Sequence, residues 1–280
     1  MARLPKCSCP NCNNIGTHKV QVFRRGKEGH AYICDFHYYQ NESYYTKNNN
    51  KQGTTKKNAF TIGVEFETSF STEKARIEFM QSGYLPTHDS TVNCEYKSPI
   101  FNGLNSLSKH CVTFERLINE NQLQVNSDCG THLHIGNTEY LNRETLEYIR
   151  RFYHSLFIPL SEAMKENPQA TERLFGRTLG YWNRPITETT QAREHTNFIN
   201  MQHDFTIEFR TCKFVDAKQY MNCAKFCVDV VTAVINNFVE HFNEEPTDTR
   251  RYKNKTEYRK HKAQVTAKKI VKLFEKYTNN

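Results

Sequence analysis

From residue 60 to residue 242 the chain moves between two hydrophobic periods, one of two residues and one close to 3.6. Residues 60–69, 93–98, 131–137 and 205–214 alternate apolar and polar positions. That predicts strands sending their polar side chains to a single face. Residues 72–82, 103–121, 142–166 and 217–242 carry apolar side chains at helical spacing instead. The stripes are Leu104, Leu107, Cys111, Phe114 and Ile118 in the second of these helices, and Leu146, Ile149, Tyr153, Leu156 and Leu160 in the third. Tyr220, Ala224, Cys227, Val231, Val234 and Phe238 make the fourth. Such stripes face a core rather than a cofactor. Cys212, Cys223 and Cys227 read most simply as small buried residues. The expected fold class is α+β, a mainly antiparallel sheet with helices covering one face.

The ends of the chain break this rhythm. In residues 1–40, Cys9-Pro10-Asn11-Cys12 and Cys34-Asp35-Phe36-His37 form two short knuckles, with Cys7 as an alternative ligand. Residues 18–23 and 31–33 can pair between them through a turn at 25–29. Cys9, Cys12, Cys34 and His37 at this spacing suit a tetrahedral structural zinc, which would support a unit too small for its own core. Residues 41–58 are rich in Asn, Lys, Thr and Gly and read as a polar linker. The catalytic body is expected over 59–245 and a basic C-terminal helix within 246–280. Over 257–277 that helix sets Ala263, Ala267, Ile270, Phe274 and Tyr277 on one side, a face suited to docking on the body.

Charge follows the same division. Residues 1–57 hold 10 Lys and Arg against 3 Asp and Glu, and residues 250–276 hold 11 against 2. Residues 58–249 hold 17 against 25, so the body is acidic between basic flanks. An acidic body suits a site that gathers metal ions. The flanks suit nucleic acid, an acidic partner or solvent. No stretch approaches the roughly 20 apolar residues of a membrane helix, so no membrane role is expected. Ten cysteines without an apolar leader predict a reducing, cytoplasmic setting. Composition is compatible with a bacterial or a phage protein, the host cytoplasm being the setting in the second case.

The polar faces of the strands carry the candidate chemistry. Glu65 and Glu67 leave one strand on one face, where two carboxylates repel unless cations or protons neutralise them. A magnesium pair would do so, although a solvent-facing strand looks the same in sequence. His132 and His134 repeat the arrangement after Cys129-Gly130, with paired surface histidines as the plainer reading. Glu208 and Arg210 share a third face, either as a local ion pair or as a metal ligand beside a phosphate-binding guanidinium. Asn200 precedes them and can orient a polar group of a substrate. Arg177 and Arg184 lie in a loop-like stretch, 176–194, and can meet phosphate or a substrate carboxylate.

Taken in order, these segments resemble the amidoligase family, which is related to glutamine synthetase and glutamate–cysteine ligase. Gly63-Val64-Glu65-Phe66-Glu67 is similar to that family's opening Glu-x-Glu strand. Asp89-Ser90 followed by Glu95-Tyr96-Lys97-Ser98-Pro99 is similar to its Asp-Gly-Ser and Glu-x-x-Ser-Pro block. Cys129-Gly130-Thr131-His132-Leu133-His134 resembles its Cys-Gly-x-His-x-His strand, and Asn200 with Thr206-Ile207-Glu208-Phe209-Arg210 its closing block. Thr91 departs from the glycine-containing turn, and Asn93-Cys94 shortens the approach to Glu95. The motifs span about residues 60–215, leaving the knuckles and the basic C-terminus outside the family's core.

The resemblance implies a glutamine synthetase-like domain and an ATP-dependent carboxylate–amine ligase working through an acyl phosphate. Glu65, Glu67, Glu95, His132 and Glu208 would hold two or three magnesium ions. His134 would approach nucleotide or substrate, Arg210 would stabilise the transferring phosphate, and Asn200 would help seat the substrate. The carboxylate and amine stay open, with a peptide, a cell-wall component, a polyamine and a nucleobase all compatible. Clustered carboxylates between basic flanks also suit a metal-dependent nuclease or nucleotidyl transferase. A non-catalytic, zinc-containing nucleic-acid-binding protein is the third reading.

Overall fold

The structure, a computed structural model, describes residues 18–24, 27–33, 60–87, 94–137, 140–181, 183–241, 252 and 254–279. It divides into two compact units, Met1–Lys57 and Asn58–Asn280. In the first, β1 (His18–Arg24) and β2 (Lys27–Ile33) form an antiparallel hairpin. The turn expected over 25–29 is shorter than that, because Arg24 pairs with Lys27 and Val22 with Gly29. Cys7, Cys9, Cys12, Cys34, His37, Asp89 and the linker at 41–58 lie outside the described residues.

The second unit opens with β3 (Phe60–Thr68), β4 (Phe70–Ser71) and α1 (Glu73–Gln81). β5 (Leu85–Thr87), β6 (Cys94–Lys97) and β7 (Phe101–Asn102) lead to α2 (Leu104–Asn119). Next come β8 (Leu123–Gln124), β9 (Thr131–Asn137), α3 (Arg143–Arg151), α4 (Tyr153–Glu166) and α5 (Pro168–Phe175). β10 (Ile199–Asn200), β11 (Thr206–Phe209), α6 (Ala217–His241) and α7 (Lys255–Thr278) complete it. The main sheet runs β10-β11-β9-β3-β6-β5 with every neighbour antiparallel, and β7 pairs with the start of β3. Antiparallel strands and long helices in one unit make the fold α+β.

Strand alternation sorts the sheet into two chemically different faces. Ile62, Val64 and Phe66 of β3, Leu133 and Ile135 of β9, and Ile207 and Phe209 of β11 are all buried on the apolar face. Helices cover that face. Phe66 stacks on Phe114 of α2 at 4.5 Å between ring centroids, and Phe79 of α1 stacks on Tyr96 of β6 at 4.3 Å. Each such pair adds about 0.5–1.5 kcal/mol beyond its buried area. The helices start where the sequence supplies a cap. Thr72, Asn142 and Asn254 accept the N–H of Ala75, Thr145 and Glu257 at 3.2, 3.0 and 2.9 Å. α7 buries Ala263, Ala267, Ile270 and Phe274 and packs on α4 and α6.

Two predicted elements need correction. The helix expected over 142–166 is two helices, broken at Phe152 (φ −111°, ψ 14°). Phe152 closes α3 and opens α4, and it and Tyr153 are both buried. The strand expected over 205–214 ends at Phe209. Beyond it Arg210 N–H still donates to Phe198 O at 2.9 Å, in the β10–β11 register, and the chain then leaves the sheet, with Lys213 N–H donating to Phe175 O at 2.7 Å. Gly176 permits that second contact. It closes α5 in the left-handed region at φ 76°, and a Cβ there would strike the Lys213 carbonyl oxygen.

Candidate active site

The opposite face of the sheet gathers the polar side chains of β3, β6, β9 and β11. Register fixes their neighbours: Glu65 stands opposite His132 on one side and Lys97 on the other, Glu67 opposite Glu95, and Glu208 opposite both His134 and Asn200. The Ser98-Pro99 end of β6 locks this arrangement, because Val64 N–H donates to Ser98 Oγ at 2.8 Å and Ser98 N–H returns to Val64 O. Glu67, Glu95, His132, Asn200 and Glu208 are buried on this face despite their polarity. Buried charges persist only where they are paired or bound to cations.

At the centre, Nδ1 of His132 lies 3.3 Å from Glu65 Oε2 and 3.5 Å from Glu208 Oε1. Its Nε2 lies 3.5 Å from Glu67 Oε1, and the other oxygen of Glu67 accepts the Gly130 N–H. Glu65, His132 and Glu208 each offer one ligand atom, all within 4.8 Å of one another; His134, His203 and Glu208 form a second such set. His134 Nε2 is 3.6 Å from Glu65 Oε1 and, though buried, makes no hydrogen bond.

On one flank, Glu208 accepts from Asn200 Nδ2 and from the Arg210 guanidinium, both at 2.7 Å. Asn200 is fully engaged, since its Oδ1 also accepts the Gln202 N–H at 2.9 Å, so here it positions Glu208. Arg210 stays on the face although its strand has ended, and its buried Nε–H has no hydrogen-bond partner. On the other flank, Glu95 accepts from Thr87 Oγ1 at 2.8 Å, and Lys97 Nζ lies 3.2 Å from Glu65 and 3.3 Å from Glu95.

Burial raises the proton affinity of Glu65, but the hydrogen bond with His132 and the nearby His134 overcome it and hold the carboxyl well below the usual carboxylate range. Glu208 behaves alike: burial raises it, and His203 with the charges of His134, His132 and Arg210 brings it down to about 2. Burial lowers His132, yet the Glu65 hydrogen bond and nearby carboxylates leave it raised. His203 is raised chiefly by its hydrogen bond to Glu208. Glu65 and Glu208 are thus poised to stay ionised and to attract positive charge.

A family model described as "Putative amidoligase enzyme" matches residues 19–275. The chain belongs to this amidoligase family. No curated protein matches it. The matched span corrects the narrower 60–215 expected from the motifs, because it takes in the β1–β2 hairpin and most of α7.

Within this amidoligase fold, Glu65, Glu67, Glu95, His132, His134, Asn200, Glu208 and Arg210 converge. Arg177 donates to Ser127 O at 3.3 Å; burial lowers its guanidinium, and the charges of Glu67 and Cys212 act against that. Arg184 is engaged elsewhere, over the Tyr181 ring at 4.7 Å and 3.8 Å from Glu194. Sequence reading missed two members. Lys97, two residues after Glu95 on the same strand face, was legible from alternation alone. His203, 3.7 Å from Glu208, lies in the connection between β10 and β11, where no periodicity marks it.

Gly130 sits against this centre, and a Cβ there would lie 2.8 Å from His132 Nε2 and 3.2 Å from Glu67 Oε2. Gly130→Ala is expected to weaken divalent-cation affinity about tenfold, the scale of lost support around a ligand. Melting should move by only a few degrees. Manganese titration followed by electron paramagnetic resonance checks this.

Proposed function

We propose that this face is the catalytic centre of an ATP-dependent carboxylate–amine ligase with a glutamine synthetase-like domain. The observation that carries the reading is one sheet face with four carboxylates, Glu65, Glu67, Glu95 and Glu208, which among the described residues meet two lysine or arginine cations, Lys97 and Arg210, and three histidines able to ligate a metal, His132, His134 and His203. That excess of ligand atoms, with the unbonded Nε2 of His134, fits divalent cations, and the oxygen-rich donor set favours magnesium. Glu65, Glu67, Glu95, His132 and Glu208 would hold two or three such ions. Bound there, magnesium would neutralise the nucleotide phosphates and the charge on the transferring phosphoryl group.

The chain's own residues supply alignment and charge. A substrate carboxylate oxygen attacks the γ-phosphorus of ATP and ADP departs, leaving an acyl phosphate. An amine nitrogen then attacks the acyl carbon, phosphate leaves, and the nitrogen gives up a proton to complete the amide. Arg210 meets the transferring phosphoryl group, with Glu208 and Asn200 fixing its guanidinium from behind. His134 presents Nε2 to nucleotide or substrate, and Arg177 and Arg184 are candidate contacts for phosphate or a substrate carboxylate. In the first unit, the β1–β2 pairing leaves His18 opposite Ile33, so the two knuckles leave the same end of one hairpin. That supports a structural zinc on Cys9, Cys12, Cys34 and His37.

The reading is tested by mass spectrometry of host lysate incubated with the protein, ATP and magnesium. A new species equal to an acid plus an amine less one water, formed only with ATP, is expected. Cleaved polynucleotide with no condensed product would replace the ligase by a nuclease.

A further inference from the structure

A second cluster lies on the apolar side of the chain, between the exit of β11 and the helix that follows. Cys223 and Cys227 are one helical turn apart on α6, so both thiols share a face. Cys212, in the segment between β11 and α6, meets them with its Sγ 3.1 Å from that of Cys223. All three residues are fully buried, and their sulfurs lie within 4.8 Å of one another. Core cysteines that merely fill space pack sulfur against carbon at about 3.5–4.0 Å. Three sulfurs turned toward one another need a further reason.

A second observation points to the same place. Tyr220, three residues before Cys223 on α6, is fully buried and its hydroxyl has no hydrogen bond. At i, i+3 on one helix, Tyr220 and Cys223 are neighbours on the same face. An unpartnered buried hydroxyl is costly and calls for a partner that the described residues do not supply.

We propose that Cys212, Cys223 and Cys227 form a thiolate site for a soft divalent cation of the zinc class, separate from the carboxylate face. A Zn–S bond of about 2.3 Å sets sulfurs roughly 4 Å apart, a spacing this cluster meets with small adjustment. Binding releases the three thiol protons to solvent and leaves one net negative charge, which nearby Arg177 offsets.

The site would brace the catalytic face from beneath. Cys212 follows Arg210 by two residues, and its carbonyl accepts the N–H of Thr131, next to His132, at 2.9 Å. A metal tying Cys212 to α6 would fix both.

The test uses the full chain loaded with cadmium and freed of excess by gel filtration. Wild type and Cys111→Ala, which removes a buried thiol outside the cluster, should retain one equivalent more than the double variant Cys223→Ala/Cys227→Ala. The site on Cys9, Cys12, Cys34 and His37 is common to all three proteins and cancels. Cadmium NMR of the wild type, which needs no variant to fold, should show a resonance in the thiolate region that Cys9→Ser leaves in place. Equal equivalents, no such resonance, or a Cys212–Cys223 disulfide in its stead would overturn the proposal.

Discussion

Glu208→Gln is expected to lower ligase turnover about a thousand-fold, the scale of losing a preorganised charge at a reacting centre. Glu208 joins β11 to β9 and β10 at the site. It accepts from Asn200 and Arg210, faces His132 at 3.5 Å, and is approached by His203 at 3.7 Å. Glutamine keeps the shape but replaces one acceptor oxygen by a donor NH2, so either Asn200 or Arg210 loses its partner. Divalent affinity should fall by about 100-fold, since a ligand is lost and not merely its support. Circular dichroism should be unchanged, because the residue contributes nothing to the apolar face. Acid stability should change too. A carboxyl held at about 2 contributes stability above the ordinary carboxylate range and loses it as pH falls toward 2. The variant should lack that part of the acid transition. Near-normal turnover would move the site elsewhere.

The second large effect is on stability. Four carboxylates and three histidines on one face offer more ligand atoms than Lys97 and Arg210 engage, and ions that bind only the folded state must stabilise it. At about 100 times its dissociation constant, one magnesium or manganese ion adds about 2.7 kcal/mol. For a unit of this size that is roughly a 5–10 °C rise in melting temperature. EDTA should reverse it, and sodium at matched ionic strength should not reproduce it. Glu65→Gln should lose most of the rise, because Glu65 is the ligand that faces both His132 and His134. A wild-type transition indifferent to magnesium and manganese would remove the metals from the account.

Much of this site was legible before any coordinates. A period of two with carboxylates or imidazoles on one side and Val, Phe, Leu or Ile on the other leaves little choice about which face is buried, so β3, β9 and β11 followed directly. Their register did not follow. Nothing local in Thr131–Asn137 states that it lies between β3 and β11, and only that pairing brings His132 within reach of both Glu65 and Glu208. β5, β7 and β10 are two or three residues long, too short for any period to appear.

Roles were harder to read than positions. Asn200 was expected to help seat the substrate, and nothing in its sequence surroundings marks its bonds to Glu208 and the Gln202 N–H. Helical spacing places Cys223 and Cys227 on one face, but their meeting with Cys212 depends on where the chain turns after Phe209. The polar positions of a strand announce chemistry; the partners come from topology.

The central claim is that this face couples ATP cleavage to amide formation. Its most direct test is ADP release from ATP with magnesium and mixed carboxylates and amines, comparing wild type with Glu208→Gln and omitting each substrate class in turn. The account predicts ADP and phosphate in equal amounts from wild type only when carboxylate and amine are both present, and almost none from the variant. Release that ignores the amine, or that persists in Glu208→Gln, would contradict it.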